Sequence, residues 1–334
     1  MNSQYVYIIV LNYKTWEDTL ECIESLLNLN YCNYRIIVVE NCSPNKSYDE
    51  IIKWAKNKNS FTKESLNILP YIELEEDKIL TNIGNNLKLI FIKTKSNGGY
   101  SAGNNVGIRL AMFQGNAEYI WILNNDLIVE PDSLKNLVTK SLFYKENNKK
   151  IGIIGSKVMD YYKPTFIQSA GGYSLNLITA SLIKPLGGSE KDLGQWNIEV
   201  NPDYIAGCSM FINTEFIKRV GLMEEKYFLY FEELDWAIRG KKEGGWQLGY
   251  AWDAIVYHKE GKSTNSSKKN ISPLTEFYYQ RNKILFTKKY FRWNLPFVYA
   301  TLIFLMISKI SKGQFSRFLN LLKVIFRPYS NFQL

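Results

Sequence analysis

The chain contains very little histidine and cysteine for its length. Among its 334 residues there is one histidine, His258, and there are four cysteines. The cysteines form no CxxC pair and have no histidine close in sequence, so the spacing indicates neither a zinc framework nor a disulfide scaffold. We expect reduced, mostly buried thiols in a cytosolic protein, because disulfides are rare in that compartment.

Targeting and phosphate-binding motifs are also lacking. Residues 1–4, Met-Asn-Ser-Gln, lead directly into a strand-like segment, and no signal peptide is recognisable. The glycine-rich stretch at residues 97–107 matches neither GxGxxG nor a P-loop. Because no signal peptide is recognisable, we expect a cytoplasmic protein. The glycine pattern alone does not assign a class of nucleotide-binding site.

Composition and charge describe a globular chain with a basic end. Hydrophobic residues make up 46% and aromatic residues 15%, which excludes a disordered protein. The net charge is +9, but residues 262–334 hold 13 Lys or Arg against the single acid Glu276, which leaves −3 for residues 1–261. Such a basic end predicts an anionic partner, either membrane lipid or nucleic acid.

The first forty residues predict a parallel βαβ unit. Residues 5–11 form a continuous apolar run, Thr15 can cap a helix, and residues 35–40 form a second buried-type strand. Ligands of parallel sheets bind beyond the carboxyl ends of the strands. Glu40 lies at such an end, where it can hydrogen-bond a base or ribose, although a helix or turn cap explains it equally well.

Two further strand ends carry candidate binding groups. After the strand at residues 87–93, the glycine-rich stretch opens a helix whose free N–H groups can bind an anion, or it is a plain turn and cap. The strand at residues 118–123 is followed by Asn124-Asn125-Asp126, which can hold a divalent cation or form an Asx turn. Residues 56–87 are polar and irregular, and we interpret them as an inserted, partly helical excursion.

An acidic stretch at residues 227–239 is the strongest catalytic candidate. Aromatic residues precede Glu232, Glu233 and Asp235, and a helical pattern follows. Carboxylates against an apolar wall have raised pKa values, which suits proton abstraction. The alternative is an acidic first turn stabilised by the helix dipole. His258 follows a short strand and is either a metal ligand or a structural residue.

Seven segments follow one another along the chain: a strand ending Asn12-Tyr13, Val38–Ser43, Asn97–Gly107, Leu123–Asp126, Ala206–Ile212, Gly221–Asp235 and His258–Ser263. Each motif is loose, but their common order is specific. Together they resemble glycosyltransferase family 2, in its bacterial rhamnosyltransferase-like branch, which builds surface polysaccharides, and the resemblance covers roughly residues 4–292.

The resemblance implies an α/β architecture of the GT-A type, a Rossmann-like mixed sheet flanked by helices, with a C-terminal helical extension. The catalytic domain is expected at residues 1–262 and the extension at 263–334. The resemblance further implies a UDP- or dTDP-sugar donor, Mg²⁺ or Mn²⁺, and inversion at the anomeric carbon. The acceptor is expected to be a saccharide, which in this branch is often lipid-linked.

The same resemblance assigns site residues. Glu233 takes the place of the catalytic base, and Glu232 and Asp235 are expected to orient it or the acceptor. The metal would be held by Asp126 and His258. The family usually has Asp at the position of Glu40, and its DxD motif keeps only its last Asp here. The residues expected around the nucleotide-sugar are Leu11, Asn12, Tyr13, Glu40, Asn97, Gly99, Asn104, Asn124, Asn125 and Asp126.

The C-terminal region predicts helices that favour a membrane surface. Residues 273–291 form a strong helical pattern, and residues 293–308 carry no charge. We judge the uncharged run shorter than the roughly 20 residues that a spanning helix needs. Flanking Arg and Lys suit a helix lying on the inner face of the cell membrane, whereas a packed core hairpin is the alternative.

Three competing functions remain open at this stage. A nucleotidyltransferase does not need the acidic stretch, and its usual basic loop after the first strand is absent. A catalytically degenerate protein that binds a nucleotide-sugar or polysaccharide is favoured by the reduced Asn-Asn-Asp motif. Nucleic-acid binding is disfavoured, because a long uncharged run such as residues 293–308 does not suit an exposed phosphate-binding face.

Overall fold

A computed structural model of the chain describes residues 4–61, 69–84, 86–176, 178–259, 271–326 and 332. Its strands are β1 (Val6–Asn12), β2 (Tyr34–Glu40), β3 (Tyr71–Glu75), β4 (Leu89–Lys93), β5 (Tyr119–Asn124), β6 (Leu127–Val129), β7 (Ile151–Asp160), β8 (Lys163–Ala170), β9 (Gly172–Asn176), β10 (Ser181–Pro185), β11 (Tyr204–Ile205), β12 (Ser209–Asn213) and β13 (Gln247–His258). Its α-helices are α1 (Trp16–Leu27), α2 (Ser47–Phe61), α3 (Gly99–Gln114), α4 (Ser133–Glu146), α5 (Thr214–Val220), α6 (Glu232–Gly244), α7 (Pro273–Tyr290), α8 (Leu295–Ser311) and α9 (Phe315–Phe326).

A ten-stranded mixed sheet runs through the molecule in the order β3-β4-β2-β1-β5-β12-β7-β13-β6, with β8 paired to β7. Strands β1 to β5 are parallel to one another. Strand β12 runs antiparallel between β5 and β7. The carboxyl ends of β1, β2, β4, β5 and β13 and the start of β12 therefore meet at one edge, the carboxyl edge.

Both faces of the sheet are covered. Along β1, Val6, Ile8 and Val10 pack into one core with α1, α2 and α4, whereas Tyr7 and Ile9 pack into a second core with α3 and α5. All five side chains are fully buried. A strand buried on both faces has an uninterrupted apolar sequence, which is why β1 and β2 are visible from sequence alone.

The C-terminal helices share a core with the acidic segment. Phe231 and Leu234 of that segment pack in one cluster with Phe286 of α7 and Leu302 of α8. A smaller sheet, in the order β10-β9-β11, contributes to the same cluster. The helical extension is thus packed directly on the part of the chain that holds the candidate base.

The expected α/β architecture is confirmed, but one segment differs from its prediction. The stretch at 56–87 is not an irregular excursion throughout, because α2 continues to Phe61 and β3 joins the sheet as an edge strand beside β4. Alternating apolar and acidic residues in Tyr71-Ile-Glu-Leu-Glu75 fit an edge strand that is only partly buried. Residues 62–68 and 85 lie outside the described part.

The packing of α8 predicts a sharp contrast between two of its residues. Leu302 is 0% exposed and Phe304 is 73% exposed. We expect Leu302→Ala to lower the free energy of unfolding by about 2–5 kcal/mol, because it removes buried methyl groups. Phe304→Ala is the matched control and should change it by less than about 0.5 kcal/mol. Urea unfolding measures both, and equal effects would contradict this packing.

Candidate active site

The ends of β1 and β2 form a rigid polar floor at the carboxyl edge. Glu40 is buried, and its two carboxylate oxygens accept from Asn12 Nδ2 and, at 2.8 Å, from the Ser43 backbone N–H. The Asn125 amide nitrogen lies within hydrogen-bond distance of Asn12 Oδ1, Thr15 Oγ1 and Thr19 Oγ1. Asn125 and Glu40 therefore hold the ends of β1 and β2 to the neighbouring segments, and both side chains are buried.

Three other predicted residues border this floor. Leu11, Tyr13 and Asn124 are partly exposed at the same edge. The backbone N–H of Asn124 donates to the Cys208 carbonyl at 2.9 Å, which joins β5 to the start of β12. The structure therefore brings the residues after β1, β2 and β5 together, as the strand order requires.

The helix start at α3 is occupied by protein groups. The N–H of Gly99 donates to Asn97 Oδ1 at 2.9 Å, and that of Tyr100 donates to the Phe228 carbonyl at 2.7 Å. Gly99 has φ +83°, and a Cβ there would lie 2.1 Å from the Phe228 oxygen. The expectation that these N–H groups are free for an anion is not supported, because the acidic segment docks on them.

Unsatisfied polar atoms gather beside this edge. Asn104 is fully buried, and its Nδ2 donates to the Tyr100 carbonyl at 3.0 Å. Its Oδ1 has no hydrogen-bond partner among the described residues, and the same holds for Asn41 Oδ1, Ser101 Oγ and Glu232 Oε2. Buried polar atoms normally find partners, so these unpaired atoms are candidates for hydrogen bonds to a ligand.

Asp126 and His258 converge at the carboxyl edge. Asp126 Oδ1 lies 3.2 Å from His258 Nε2, and both side chains are largely buried. The other ring nitrogen, Nδ1, lies 2.6 Å from Gln168 Oε1. Gln168 Oε1 accepts a hydrogen bond from Nδ1–H, so a second proton, on Nε2, gives a cationic ring that faces the Asp126 carboxylate. Burial opposes ionisation of Asp126, but His258 holds the pKa of that carboxyl below its usual value.

This pair fits part of a divalent metal shell. Two cis ligands about 2.1 Å from an octahedral ion lie about 3.0 Å apart, close to the separation of the Asp126 and His258 atoms. A carboxylate and an imidazole held by a neighbouring amide is a common ligand arrangement. Among the described residues, no group of three or more His, Cys, Asp or Glu surrounds the position. Any ion there needs further oxygens from a ligand and water.

Three carboxyl groups in the first turn of α6 have different surroundings. Glu232 is buried, and burial together with the charge of Glu233 raises its pKa well above the usual value. Burial also raises the pKa of Glu233 to about 7. Among the described residues neither forms an ion pair, whereas Asp235 pairs with Arg239 and Lys289. Glu232 and Glu233, whose pKa values are raised, are candidates for proton transfer. Asp235, whose pKa is lowered, is a structural charge.

Asp235 contacts side chains of α6 and α7. It is fully buried, and its oxygens accept from Arg239 at 2.7 Å, Lys289 at 2.6 Å and Tyr290 at 2.7 Å. Burial opposes its charge, but these donors hold the pKa of Asp235 below its usual range. The expectation that Asp235 orients an acceptor gains no support, since its contacts tie α6 to α7.

Gly207 joins the candidate base to the sheet. A Cβ on Gly207 would lie 2.0 Å from Glu233 Oε1, so the Glu233 carboxylate rests against this glycine. The Tyr100 hydroxyl donates to the Gly207 carbonyl. Burial, then the charges of Glu233 and Glu232, raise the pKa of Tyr100. Gly207 precedes Cys208, the partner of Asn124, so Glu233 and the residues after β5 flank the same strand start.

Several residues of this region escape sequence reasoning. Asn41 bridges Asn97 Oδ1 and the Gly99 carbonyl. Lys259 donates its backbone N–H to the Asp126 carbonyl and forms ion pairs with Asp18 and Glu21 of α1. Each contact links segments that are distant in sequence, so no local sequence pattern predicts it. The rest of the predicted His258–Ser263 motif, residues 260–263, lies outside the described part.

The raised pKa of Glu233 predicts a pH-dependent stability. Its folded-state pKa of about 7 lies above the ordinary carboxyl value of 4.5, so charging Glu233 opposes folding. The resulting destabilisation is absent below the unfolded-state pKa, grows as pH rises, and is complete above pH 7. We expect Glu233→Gln to flatten the fall in urea midpoint between pH 5 and 8. Glu243→Gln, at an exposed position of α6, is the control and should keep the wild-type slope.

Comparisons with known proteins agree with the expected fold and, over residues 6–67, with the expected family resemblance. Residues 6–67 match the sequence profile of the family described as Glycosyl transferase family 2. A curated relative, the low-salt glycan biosynthesis hexosyltransferase Agl10 of Haloferax volcanii, is 23% identical over 218 residues. That alignment covers 65% of this chain and 66% of the relative, just under two-thirds of the relative's length.

Solved structures share the architecture at low identity. The mannosyltransferase PcManGT from Pyrobaculum calidifontis, in complex with GDP-Man and Mn²⁺, has a TM-score of 0.55 at 13% identity, covering 98% of this chain and 83% of that one. GalNAc-T7 with UDP, GalNAc and Mn²⁺ has a TM-score of 0.56 at 12% identity, covering 84% of this chain and 47% of that one. These matches do not confirm the rhamnosyltransferase-like branch. The chain therefore has the GT-A fold, and its residues 6–67 are similar to glycosyltransferase family 2.

Proposed function

We propose that the chain is an inverting hexosyltransferase that moves a sugar from a UDP- or dTDP-sugar to a saccharide acceptor in surface polysaccharide synthesis. The observation that carries the proposal is Glu233, a carboxyl of raised pKa that rests against Gly207 beside the strand ends bearing Asp126. The relative Agl10, named a hexosyltransferase of glycan biosynthesis, supports the reaction class.

The proposed reaction is one displacement at the anomeric carbon. The acceptor hydroxyl oxygen forms the new bond to that carbon while the bond to the diphosphate oxygen breaks. The hydroxyl proton passes to the Glu233 carboxylate, and the diphosphate leaves with the bonding electron pair. A base with a pKa near the working pH is well matched to this transfer. Glu232, with its own raised pKa, can stay protonated beside it and limit the repulsion.

Asp126 and His258 are the residues that would hold Mg²⁺ or Mn²⁺ at this site. A bound divalent ion supplies Lewis-acid stabilisation of the charge that develops on the leaving diphosphate. The Gln168 contact fixes the His258 ring, and Lys259 anchors the strand end to α1. Glu40, Asn12 and Asn97 would support the nucleotide at the ends of β1 and β2 and before α3.

We divide the chain at the end of β13. Residues 1–262 would form the nucleotide-sugar and acceptor domain, and residues 263–334 would form the helical extension. The division is supported by the order of the elements, because the described sheet ends at His258 and the described chain beyond Ile271 is helical.

The proposal predicts a selective defect in Glu233→Gln. Glutamine keeps the shape of the side chain but cannot accept the proton, so we expect transfer to fall by about 10²–10⁴-fold. Donor binding should stay within a few-fold of wild type. Labelled-donor transfer assays with Mn²⁺ measure the first quantity and calorimetry the second. A fully active Glu233→Gln enzyme would remove Glu233 from the mechanism.

A non-catalytic carbohydrate-binding protein is the alternative function. It is favoured by the Asn124-Asn125-Asp126 sequence, in which one carboxylate remains, and by the absence of a third His, Cys, Asp or Glu around it in the described chain. The same assay separates the two. The alternative would be established if the wild-type protein binds a nucleotide-sugar but neither transfers nor hydrolyses any of the labelled nucleotide-sugars tested.

We also propose that α8 and α9 dock on an anionic membrane surface at the inner face of the cell membrane. Val298, Leu302 and Met306 of α8 pack inward, whereas the opposite face is apolar and open to solvent. Trp293 is 92% exposed and Phe326 is 78% exposed. Exposed basic residues at Arg292, Lys312 and Lys323 complement anionic headgroups. The exposed apolar residues are Trp293, Phe297, Ile303, Phe304, Ile307, Ile310, Phe315, Leu319 and Phe326.

The helix is longer than the sequence interpretation assumed. Within the described residues, Arg292–Ser311 forms 20 helical residues that meet the length and composition of a membrane span. The uncharged run, residues 293–308, is shorter than this helical segment because the segment also includes Arg292 and residues 309–311. We favour surface docking, because one face of α8 packs on α7 and Lys309 near its end pairs with buried Glu276 at 2.6 Å. Such a surface would bring a lipid-linked acceptor towards the domain.

Vesicle sedimentation tests the docking face. The full chain should sediment with phosphatidylglycerol vesicles, and high salt should weaken binding. Replacing Phe304 and Ile307 together with Ser should lower partitioning by about tenfold or more, because each buried apolar side chain contributes about 1.5–3 kcal/mol. Leu193→Ser, at another exposed apolar position, is the control. Wild-type protein left in the supernatant at low salt, or unchanged binding of the double variant, would contradict the proposal.

A further inference from the structure

The segment before the two glutamates has an unusual backbone. Phe228, Tyr230 and Phe231 have φ of +66°, +72° and +75°, a region that bulky residues rarely adopt. Each such residue costs of order 1–3 kcal/mol, so neighbouring groups must stabilise the shape. Phe231 immediately precedes Glu232 and Glu233, and the path of this loop therefore sets where their carboxyl groups lie.

One side chain of α7 collects the carbonyl groups of this loop. The Asn282 Nδ2 lies 2.8 Å from the Tyr227 oxygen, 2.8 Å from the Leu229 oxygen and 2.9 Å from the Tyr230 oxygen. Three carbonyl dipoles that point to one place repel each other unless a donor lies between them. Asn282 is fully buried, and its amide group supplies that donor where water is excluded.

Arg281 sets the orientation of that amide. Its Nε donates to Asn282 Oδ1 at 3.0 Å, which turns the NH₂ group of Asn282 towards the loop. Its Nη2 also donates to the carbonyls of Lys226 and Tyr227. Arg281 is itself buried, so a guanidinium and an amide from adjacent positions of α7 serve one loop.

The same helix also holds the residue that follows the glutamates. Lys289 and Tyr290, near the end of α7, donate to Asp235 at 2.6 and 2.7 Å. Contacts from α7 therefore lie on both sides of Glu232 and Glu233 in sequence. The glutamates themselves make no ion pair among the described residues, so their position depends on these neighbours.

We propose that Asn282, oriented by Arg281, is a positioning residue for the candidate base, and that α7 is a working part of the active site. The inference rests on the proposed function, since it presumes that Glu233 accepts the acceptor proton. Loss of the Asn282 donor lets the three carbonyls separate and moves the start of α6 relative to Gly207. A displacement of about 1 Å at a reacting group can lower the rate by about 10²-fold.

The experiment compares Asn282→Asp and Asn282→Ala with Gln280→Ala in the full chain. Asn282→Asp keeps the shape but replaces the donor with an acceptor. We expect both Asn282 variants to lower kcat by about 10–10²-fold and to shift the pH profile of kcat, while donor Kd stays within about twofold. Gln280→Ala, on the same helix, should match wild type in all three quantities.

Arg281→Lys provides a second variant should the Asn282 variants fold poorly. Lysine keeps the charge but lacks the Nε–H that orients Asn282, so kcat should fall less and the pH profile should move in the same direction. A purely structural role would lower Tm while leaving kcat and its pH profile unchanged at low temperature, and that result would overturn the inference.

The Glu233→Gln enzyme distinguishes the two possible failures. If Glu233→Gln is inactive while the Asn282 and Arg281 variants keep wild-type kcat and pH profile, the positioning inference fails and the proposed base stands. If Glu233→Gln is fully active, the assignment of the base fails, and with it the reason for positioning it.

Discussion

The pairing of β5 with β12 is the contact on which the candidate site depends. Leu123 lies opposite Ser209 in the ladder, and the Asn124 N–H bonds to the Cys208 carbonyl just beyond it. This register places Asn124, two residues before Asp126, beside Cys208, which follows the Gly207 against which Glu233 rests. A slip of one residue would turn every β12 side chain to the other face of the sheet. Asp126 and Glu233, more than a hundred residues apart in sequence, thus both lie near the carboxyl edge.

The pKa values of the three acids in the first turn of α6 differ because their electrostatic surroundings differ. Asp235 is surrounded by Arg239, Lys289 and Tyr290, and it is held ionised. Glu232 and Glu233 lie in the same helical turn and have no cationic partner among the described residues. Burial therefore raises their pKa values. Arg239 of α6 and Lys289 and Tyr290 of α7 make this difference. The C-terminal region therefore determines the charge state of an acid in the same helical turn as Glu232 and Glu233.

Much of this arrangement could be predicted from the sequence, for identifiable reasons. Strands buried on both faces have continuous apolar runs, so β1, β2 and β5 and the polar groups at their ends are visible directly. The closeness of Asp126 and His258 was expected from motif order. Gln168, Lys259 and Asn282 were not, because each acts through a contact between distant segments. The edge strand at Tyr71–Glu75 was missed because its acidic residues resemble those of a polar loop.

The proposed function requires that Asp126 and Glu233 lie at opposite ends of the one bond that is exchanged. Anomalous diffraction from crystals of the full chain grown with Mn²⁺ and a nucleotide-sugar tests it most directly. We expect a manganese peak beside Asp126 and His258, with the anomeric carbon of the sugar facing the Glu233 carboxylate. A nucleotide-sugar bound elsewhere, or one whose anomeric carbon faces away from Glu233, would contradict it.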